Sequence, residues 1–294
     1  MKLAIKTVQL KERDFPIFLS EIPDPPKILY YLGNLPKKDE KLIAIVGTRK
    51  ATHEGRTLAK QIASELTRQK ISVVSGLALG IDAAAHEGAL TNNGKTYAVL
   101  ANGLDTIYPY QHEQLARKII DSGGGIISEY KVGTPAYPNQ FLERNRIVSG
   151  LCIATIIIEA PIHSGTLVTA KYASEQGREV FVFPGNSNHP NFKGSHMLIR
   201  NGARLVANIN DILEDLSLEP LEEHFSDADL ETNNSDDSIK NVIIKTIQKS
   251  KKPISAHEIV EITKLKPDVI HQQLTFLTLN GTIDEKQGKF TVKK

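Results

Sequence analysis

The chain has one cysteine, Cys152, among its 294 residues. A single cysteine excludes a disulfide framework within the chain and a zinc site built from cysteines, and it favours a reducing compartment. The sequence has no apolar run of about 18 residues, so it predicts no membrane-spanning helix. The N-terminal residues lack the apolar core of a secretory signal. Together these absences predict a cytoplasmic protein that does not associate with membranes.

Familiar nucleotide-binding and catalytic motifs are also missing. There is no G-x-G-x-x-G dinucleotide fingerprint and no G-x-x-x-x-G-K-[ST] phosphate loop. The residues form no catalytic triad, no paired carboxylates and no cluster with metal-ligand spacing. The sequence therefore predicts no catalytic residue, no metal and no cofactor.

Charge is distributed unevenly along the chain. Residues 1–213 hold 25 basic and 19 acidic side chains, 214–237 hold none and 10, and 238–294 hold 11 and 5. Two mildly basic regions thus flank an acidic one, which permits nucleic-acid binding without demonstrating it. We expect an N-terminal strap at 1–40, a main domain at 41–216, an acidic linker at 217–237 and a second domain at 238–294.

Strand and helix patterns alternate from residue 41 to 216. Seven strands rich in Val and Ile are predicted, with the sequences KLIAIVG, ISVVSG, KTYAVLANG, GGIISE, CIATIIIEA, REVFVFPG and ARLVA. The predicted helices span roughly 54–69, 81–91, 111–121, 139–151, 166–176, 194–201 and 209–216. This alternation predicts an α/β, Rossmann-like fold with a doubly wound, mostly parallel sheet. Ligands of such sheets bind beyond the carboxyl ends of the strands.

The last 57 or so residues have the pattern of a small winged helix. Helical patterns span 238–250 and begin again at Pro267, and Ser255 with Glu258 forms a capping box for a helix between them. Two short strands around Gln287 and Gly288 follow. The presumed recognition helix, PDVIHQQLTFLTL, has no Lys or Arg, although helices that read duplex grooves usually carry them. We therefore favour protein contact or a structural role over duplex reading.

The segment from Ile43 to Thr57 predicts an anion site. An apolar strand ends at Gly47, Thr48 and Arg49 follow, and a polar turn leads into a helix. Such a turn directs backbone N–H groups and the positive end of the helix at a ligand above the sheet, and Arg49 adds a forked cation. The alternative for Arg49 is a surface cation or a salt bridge to a neighbouring loop.

Two further turns have the same character. Ser75 and Gly76 end the second strand and are candidate phosphate contacts. Ser164, Gly165 and Thr166 stand at the start of a helix after the fifth strand, where they predict a second anion site.

The helix before the fifth strand carries an aromatic and a basic candidate. Phe141 shares a face with Asn145, and Arg144 lies beside them. A nucleobase could stack on Phe141, which would contribute about 1–3 kcal/mol. A half-buried core position for Phe141 is equally consistent with the pattern.

Taken together, seven segments resemble successive motifs of the DNA-processing protein A (DprA/Smf) family. They are GTRKATHEG, SGLALGIDAAAH, YPYQHEQL, SEYKVGTPAYPNQFLERNRIVSGL, IEAPIHSGTLVTA, VFVFPG and GSHMLIRNGA. The resemblance implies an extended Rossmann fold, a homodimer formed through it, and non-enzymatic binding of single-stranded DNA. It also implies a role in natural transformation, in which incoming strands are protected and passed to the RecA recombinase.

The resemblance also assigns site residues. Arg49 corresponds to the family's principal phosphate contact, Ser75 and Gly76 to a second, and Phe141 with Asn145 to a third. This chain departs from the family in two places. Pro138 stands where many members have a Lys, for which Lys131 or Arg144 is a candidate replacement. Leu142 stands where a Pro is usual.

Two other function classes compete with this one. Related phosphoribohydrolases act on small nucleotides and carry a G-T-x-x-E motif, but here the segment continues with Val168 and Thr169, and Thr169 stands where the glutamate would be. A ligand-sensing regulator that reads duplex promoters would need a basic recognition helix, which the chain lacks.

Overall fold

The computed structural model describes residues 4–219, 236–250, 252–263, 265–286 and 288–292. The chain divides into two units, Met1–Leu221 and Glu222–Lys294. Most of the acidic segment predicted as a linker lies outside the described residues.

One sheet of nine strands organises the first unit. The strands are β1 (Lys6–Gln9), β2 (Ile28–Gly33), β3 (Leu42–Val46), β4 (Ser72–Ser75), β5 (Thr96–Val99), β6 (Gly125–Ser128), β7 (Ala154–Ile157), β8 (Glu179–Val182) and β9 (Arg204–Leu205). Their spatial order is β1-β2-β6-β5-β4-β3-β7-β8-β9. The strands from β3 to β9 pair in parallel, and the chain order reverses at β3. This confirms the predicted doubly wound, Rossmann-like sheet.

Eight α-helices accompany the sheet in the described part of this unit. They are α1 (Ile17–Ser20), α2 (His53–Arg68), α3 (Ile81–Leu90), α4 (Glu113–Asp121), α5 (Pro138–Gly150), α6 (Gly165–Glu175), α7 (Lys193–Arg200) and α8 (Ile209–Asp215). The helices from α2 to α8 coincide with the predicted helical patterns to within one or two residues.

Strand β3 supplies both faces of the hydrophobic core. Ile43 and Ile45 belong to the cluster that includes residues of α2 and α3, whereas Ala44 and Val46 belong to the cluster that includes residues of α5 and α6. Successive side chains of a strand point to opposite faces. All five residues of β3 are buried, which explains the continuous apolar run in the sequence.

The N-terminal segment adds two strands that the sequence patterns did not predict. Strand β1 pairs antiparallel with β2, and β2 pairs antiparallel with β6, so the segment extends one edge of the sheet. Arg146 on α5 ties this segment to the domain through ion pairs of 3.0 Å with Asp24 and 2.7 Å with Glu129.

The described residues of the second unit form three helices and a small antiparallel sheet. Its elements are α9 (Asp236–Lys249), β10 (Ile254–Ser255), α10 (Ala256–Thr263), α11 (Pro267–Leu279), β11 (Ile283–Lys286) and β12 (Lys289–Val292), with strand order β10-β12-β11. Isoleucines and leucines from all three helices pack around Phe290. Ser255 and Glu258 exchange the hydrogen bonds of the predicted capping box. In the described parts of the chain, no helix is both long and apolar enough to cross a membrane.

Candidate functional site

Arg49 lies at the carboxyl edge of the parallel sheet, directly beyond β3. Its side chain is exposed, and its guanidinium carbon lies 4.9 Å from the ring centre of Phe141. Among the residues that the structure describes, no carboxylate forms an ion pair with it. Arg49 is therefore a solvent-facing cation that lies over an aromatic ring. The alternative that Arg49 forms a salt bridge to a neighbouring loop does not hold among the described residues.

A buried carboxylate shapes the loop that carries Arg49. Glu159 follows β7 and is fully buried. It accepts hydrogen bonds from the backbone N–H and the hydroxyl of Thr52 and, at 2.7 Å, from the side-chain amide of Asn191. Thr52 in turn caps α2 by accepting from the Gly55 N–H at 2.9 Å. This network fixes the path of the chain from Arg49 into α2.

Gly55 makes the approach of this carboxylate possible. A β-carbon placed on Gly55 would lie 2.2 Å from an oxygen of Glu159. Any larger residue would therefore displace the group that holds the loop.

Two aromatic side chains belong to the surroundings of the arginine: Phe141 contacts its guanidinium, and Tyr108 contacts Phe141. Phe141 is half-buried on α5, and its ring lies 5.6 Å from that of Tyr108 at an interplanar angle of 58°. Tyr108 is 47% exposed. The cluster of Arg49, Phe141 and Tyr108 thus presents one charge and two ring faces at the edge of the sheet, which suits a phosphate beside a base.

Arg144, also predicted at the site, points into the protein. It is only 4% exposed and donates hydrogen bonds to the backbone carbonyls of Gly76 and Val99. Burial lowers the pKa of Arg144 to about 10; nearby Asp82 raises it, and the charge of Arg49 lowers it further. Arg144 is therefore protonated at neutral pH, but its guanidinium is not available at the surface. This also removes it as a replacement for the lysine missing at Pro138.

The polar groups of the turn after β4 also form their hydrogen bonds inside the protein. The Ser75 hydroxyl donates to the Ile45 carbonyl at 2.7 Å, and the Gly76 N–H donates to Asp82 at 3.1 Å. The predicted phosphate contacts at Ser75 and Gly76 thus have their donors engaged inside the protein. A β-carbon on Gly76 would lie 2.7 Å from both Arg144 and Asp82, so the glycine serves to admit this buried pair.

Burial dominates the electrostatics beneath the site. It raises the pKa of Asp82, against the lowering effect of Arg144 and of two backbone N–H donors. Burial also lowers the pKa of His86 to about 3, and the charges of His112 and Arg144 act in the same direction. The Nδ1 atom of His86 lies 2.7 Å from the Thr96 hydroxyl. His86 is thus a neutral core residue.

The predicted second anion site lies at the start of α6. Ser164 is the N-cap residue, and its side chain makes no capping hydrogen bond. Gly165 is exposed, whereas Thr166 is buried. Asn145 on α5 donates to the Gly165 carbonyl at 3.1 Å, which ties the start of α6 to the helix that carries Phe141. The loops after β3 and β7 and the helix α5 therefore meet at this edge, as the sequence predicted for ligand-binding loops.

No group of three or more metal-binding side chains comes together within the described residues. The chemistry that this edge offers is that of a cation, aromatic faces and a helix N-terminus.

Known proteins resemble this chain in sequence and in fold. The DNA recombination-mediator protein A family matches residues 6–217. The chain belongs to this family. Protein Smf of Synechocystis is 44% identical over 212 residues, covering 71% of this chain and 53% of its own length. DNA processing protein DprA of Streptococcus pneumoniae is 41% identical over 199 residues, covering 68% and 70%.

Solved structures of the recombination-mediator family have a similar fold. The crystal structure of S. pneumoniae DprA aligns with a TM-score of 0.67 at 38% identity, covering 76% of this chain and 75% of that one. The Helicobacter pylori protein aligns with a TM-score of 0.65 at 31% identity, covering 74% and 97%, and its structure concerns a single-stranded DNA binding mode. The chain spans only about half of the Synechocystis relative, and the family match ends before the second unit.

Three features of this family member's site were not predicted. They are the ring of Tyr108, the loop-holding role of Glu159 and the buried Asp82–Arg144 pair. For Tyr108 the sequence offered one signal, which is an aromatic residue in the Y-P-Y segment. The other two depend on contacts between residues far apart in sequence, such as the 107 positions that separate Thr52 and Glu159.

Proposed function

We propose that this protein binds single-stranded DNA at the carboxyl edge of its parallel sheet. The supporting observation is Arg49, an exposed guanidinium stacked on Phe141 without an acidic partner among the described residues. Such a cation can donate two parallel hydrogen bonds to a phosphate. An unpaired base then has the rings of Phe141 and Tyr108 within reach. Single-stranded DNA binding by the H. pylori relative supports the same assignment.

The remaining predicted residues are assigned by position. Gly47 and Thr48 lead the backbone to Arg49, and the start of α6 at Ser164, Gly165 and Thr166 offers a second phosphate contact. Asn145 holds that turn through its bond to Gly165. Arg144, Ser75 and Gly76 are proposed to support the surface from below, since their polar groups bond inward.

The cellular role that fits this chemistry is recombination mediation without catalysis. We propose that the protein works in the cytoplasm as a homodimer formed through its Rossmann domain. It would protect single strands taken up in natural transformation and load the RecA recombinase onto them. Family membership supports this role.

The second unit is proposed to be a winged helix that contacts protein or completes the fold. Its helix α11 has no Lys or Arg between residues 267 and 279. A domain that reads a duplex groove would be expected to carry cations there.

A gel-shift comparison of single-stranded and double-stranded DNA of equal length tests the proposal. The single strand should bind more tightly, and its affinity should fall as salt rises because phosphate contacts release counterions. An affinity that does not change with salt, or equal binding of both forms, would contradict a phosphate-gripping single-strand site.

A further inference from the structure

A cavity opens at the edge of the sheet opposite to Arg49. Its volume is about 560 Å³, and it lies between the N-terminal segment and the amino ends of β5 and β6. Lys95 and Gly123, which precede these strands, line it. Arg49 follows the carboxyl end of β3, and β3 to β6 are parallel, so the two places lie at opposite edges.

Cations dominate this cavity. Its lining includes Lys6, Arg13, Lys37, Lys38 and Lys95 but a single acidic residue, Asp14. Within the described part of the chain, none of the five cations takes part in an ion pair. Glu40, which bonds to Tyr97 of the cavity wall, is engaged by three donors of the protein itself. The lining therefore holds five cations and one acidic residue, and this excess of positive charge favours a bound anion.

The walls between the cations are aromatic and apolar. Tyr31 is half-buried, and the ammonium of Lys6 lies 5.6 Å from its ring centre. Phe15, Pro16 and Leu35 complete this side. The cavity volume lies within the range of about 300–1,000 Å³ that small-molecule sites occupy. The combination suits a ligand that has both a flat ring and phosphate groups.

We propose that this cavity is a second binding site, for a phosphate-bearing nucleotide unit. The ring would lie against Tyr31 and the apolar wall, and the phosphates would face Lys37, Lys38 and Lys95. The ligand is either a free nucleotide or one unit of a DNA strand, since both present this chemistry. The site does not depend on the proposed DNA contact at Arg49.

Titration calorimetry on the full chain tests the site with three probes: pyrophosphate, ATP without metal, and a short thymidine oligonucleotide. The oligonucleotide is titrated into Arg49→Ala protein, so that loss of the contact at the other edge is not mistaken for loss of this one. The test variant is Lys37→Gln with Lys38→Gln, because both side chains are exposed in the connection between β2 and β3. Lys171→Gln with Arg200→Gln, which removes equal charge away from the cavity, is the control.

The site is supported if the test variant weakens at least one probe about fivefold or more while the control does not. Loss of ATP binding identifies a free nucleotide as the ligand, whereas loss of oligonucleotide binding alone identifies a DNA strand. If the unmodified cavity binds none of the probes, or both double variants lose affinity equally, the proposal is overturned.

Discussion

Replacing Arg49 by alanine should weaken single-stranded DNA binding strongly while leaving the fold intact. The side chain contacts the ring of Phe141 at 4.9 Å, an exposed cation–π contact that contributes about 0.5–1 kcal/mol. The free energy of unfolding should therefore fall by no more than about 1 kcal/mol. A charge-assisted hydrogen bond to a phosphate contributes about 1.5–3 kcal/mol. The dissociation constant should accordingly rise about 10- to 150-fold.

Fluorescence anisotropy with a labelled oligonucleotide across a salt series provides the measurement. Loss of one phosphate contact should reduce the slope of log K against log salt by about 0.7. Arg49→Lys should keep that slope, because it keeps the charge, but should bind less tightly because it lacks the forked donors. Arg68→Ala removes an exposed cation at the far end of α2, a helix about 24 Å long, and serves as the matched control. If Arg49→Ala binds with the affinity and slope of the unmodified protein, the phosphate is held elsewhere.

Three further outcomes are expected. Phe141→Ala should raise the dissociation constant about 5- to 150-fold by loss of stacking, yet leave the salt slope unchanged, and a changed slope would instead indicate that Arg49 has moved. Arg144→Met should lower the free energy of unfolding in urea by about 1–3 kcal/mol, because the carbonyls of Gly76 and Val99 lose a buried charged donor, whereas Arg117→Met, whose side chain is 73% exposed, should cost less than about 0.5 kcal/mol. The pKa of His86 is about 3 in the folded protein and returns to about 6.5 on unfolding. Below pH 6.5 the unfolded chain therefore binds a proton that the folded protein does not, and the free energy of unfolding falls as the pH decreases toward 3. Above pH 6.5 this loss is absent. Between pH 7 and pH 5 this loss is about 2 kcal/mol; His86→Met should reduce the pH dependence by that amount, and an unchanged urea-denaturation profile would argue against it.

The elements that could be read from the sequence are those whose signal is local. Strand β3 is apolar throughout because helices cover both of its faces, so five consecutive residues identify it. The capping box at Ser255 and Glu258 needs only four residues to be recognised. Strands β1 and β2 were not found in this way, because β1 mixes polar and apolar residues and pairs with β2, and β2 pairs with β6, almost 100 positions away.

The candidate site likewise has one part that local sequence predicts and another that depends on contacts between distant residues. The turn that carries Arg49 was located because an apolar strand that ends at a glycine marks the ligand edge of such a sheet. Whether a given arginine points outward depends instead on its neighbours in space. Asp82 and the carbonyls of Gly76 and Val99 draw Arg144 inward, and none of them is near it in sequence.

Three arginines near this edge show how pairing decides function. Arg146 has two carboxylates and joins the N-terminal segment to α5. Arg144 is buried near one carboxylate, Asp82, and its guanidinium donates to the carbonyls of Gly76 and Val99. Arg49 repels Arg144 and has an aromatic ring but no carboxylate among the described residues. A guanidinium that is kept at the surface beside a second buried cation gains most from a mobile anion. We propose that a phosphate chain supplies that anion, and we therefore assign the DNA contact to Arg49 and not to its two neighbours.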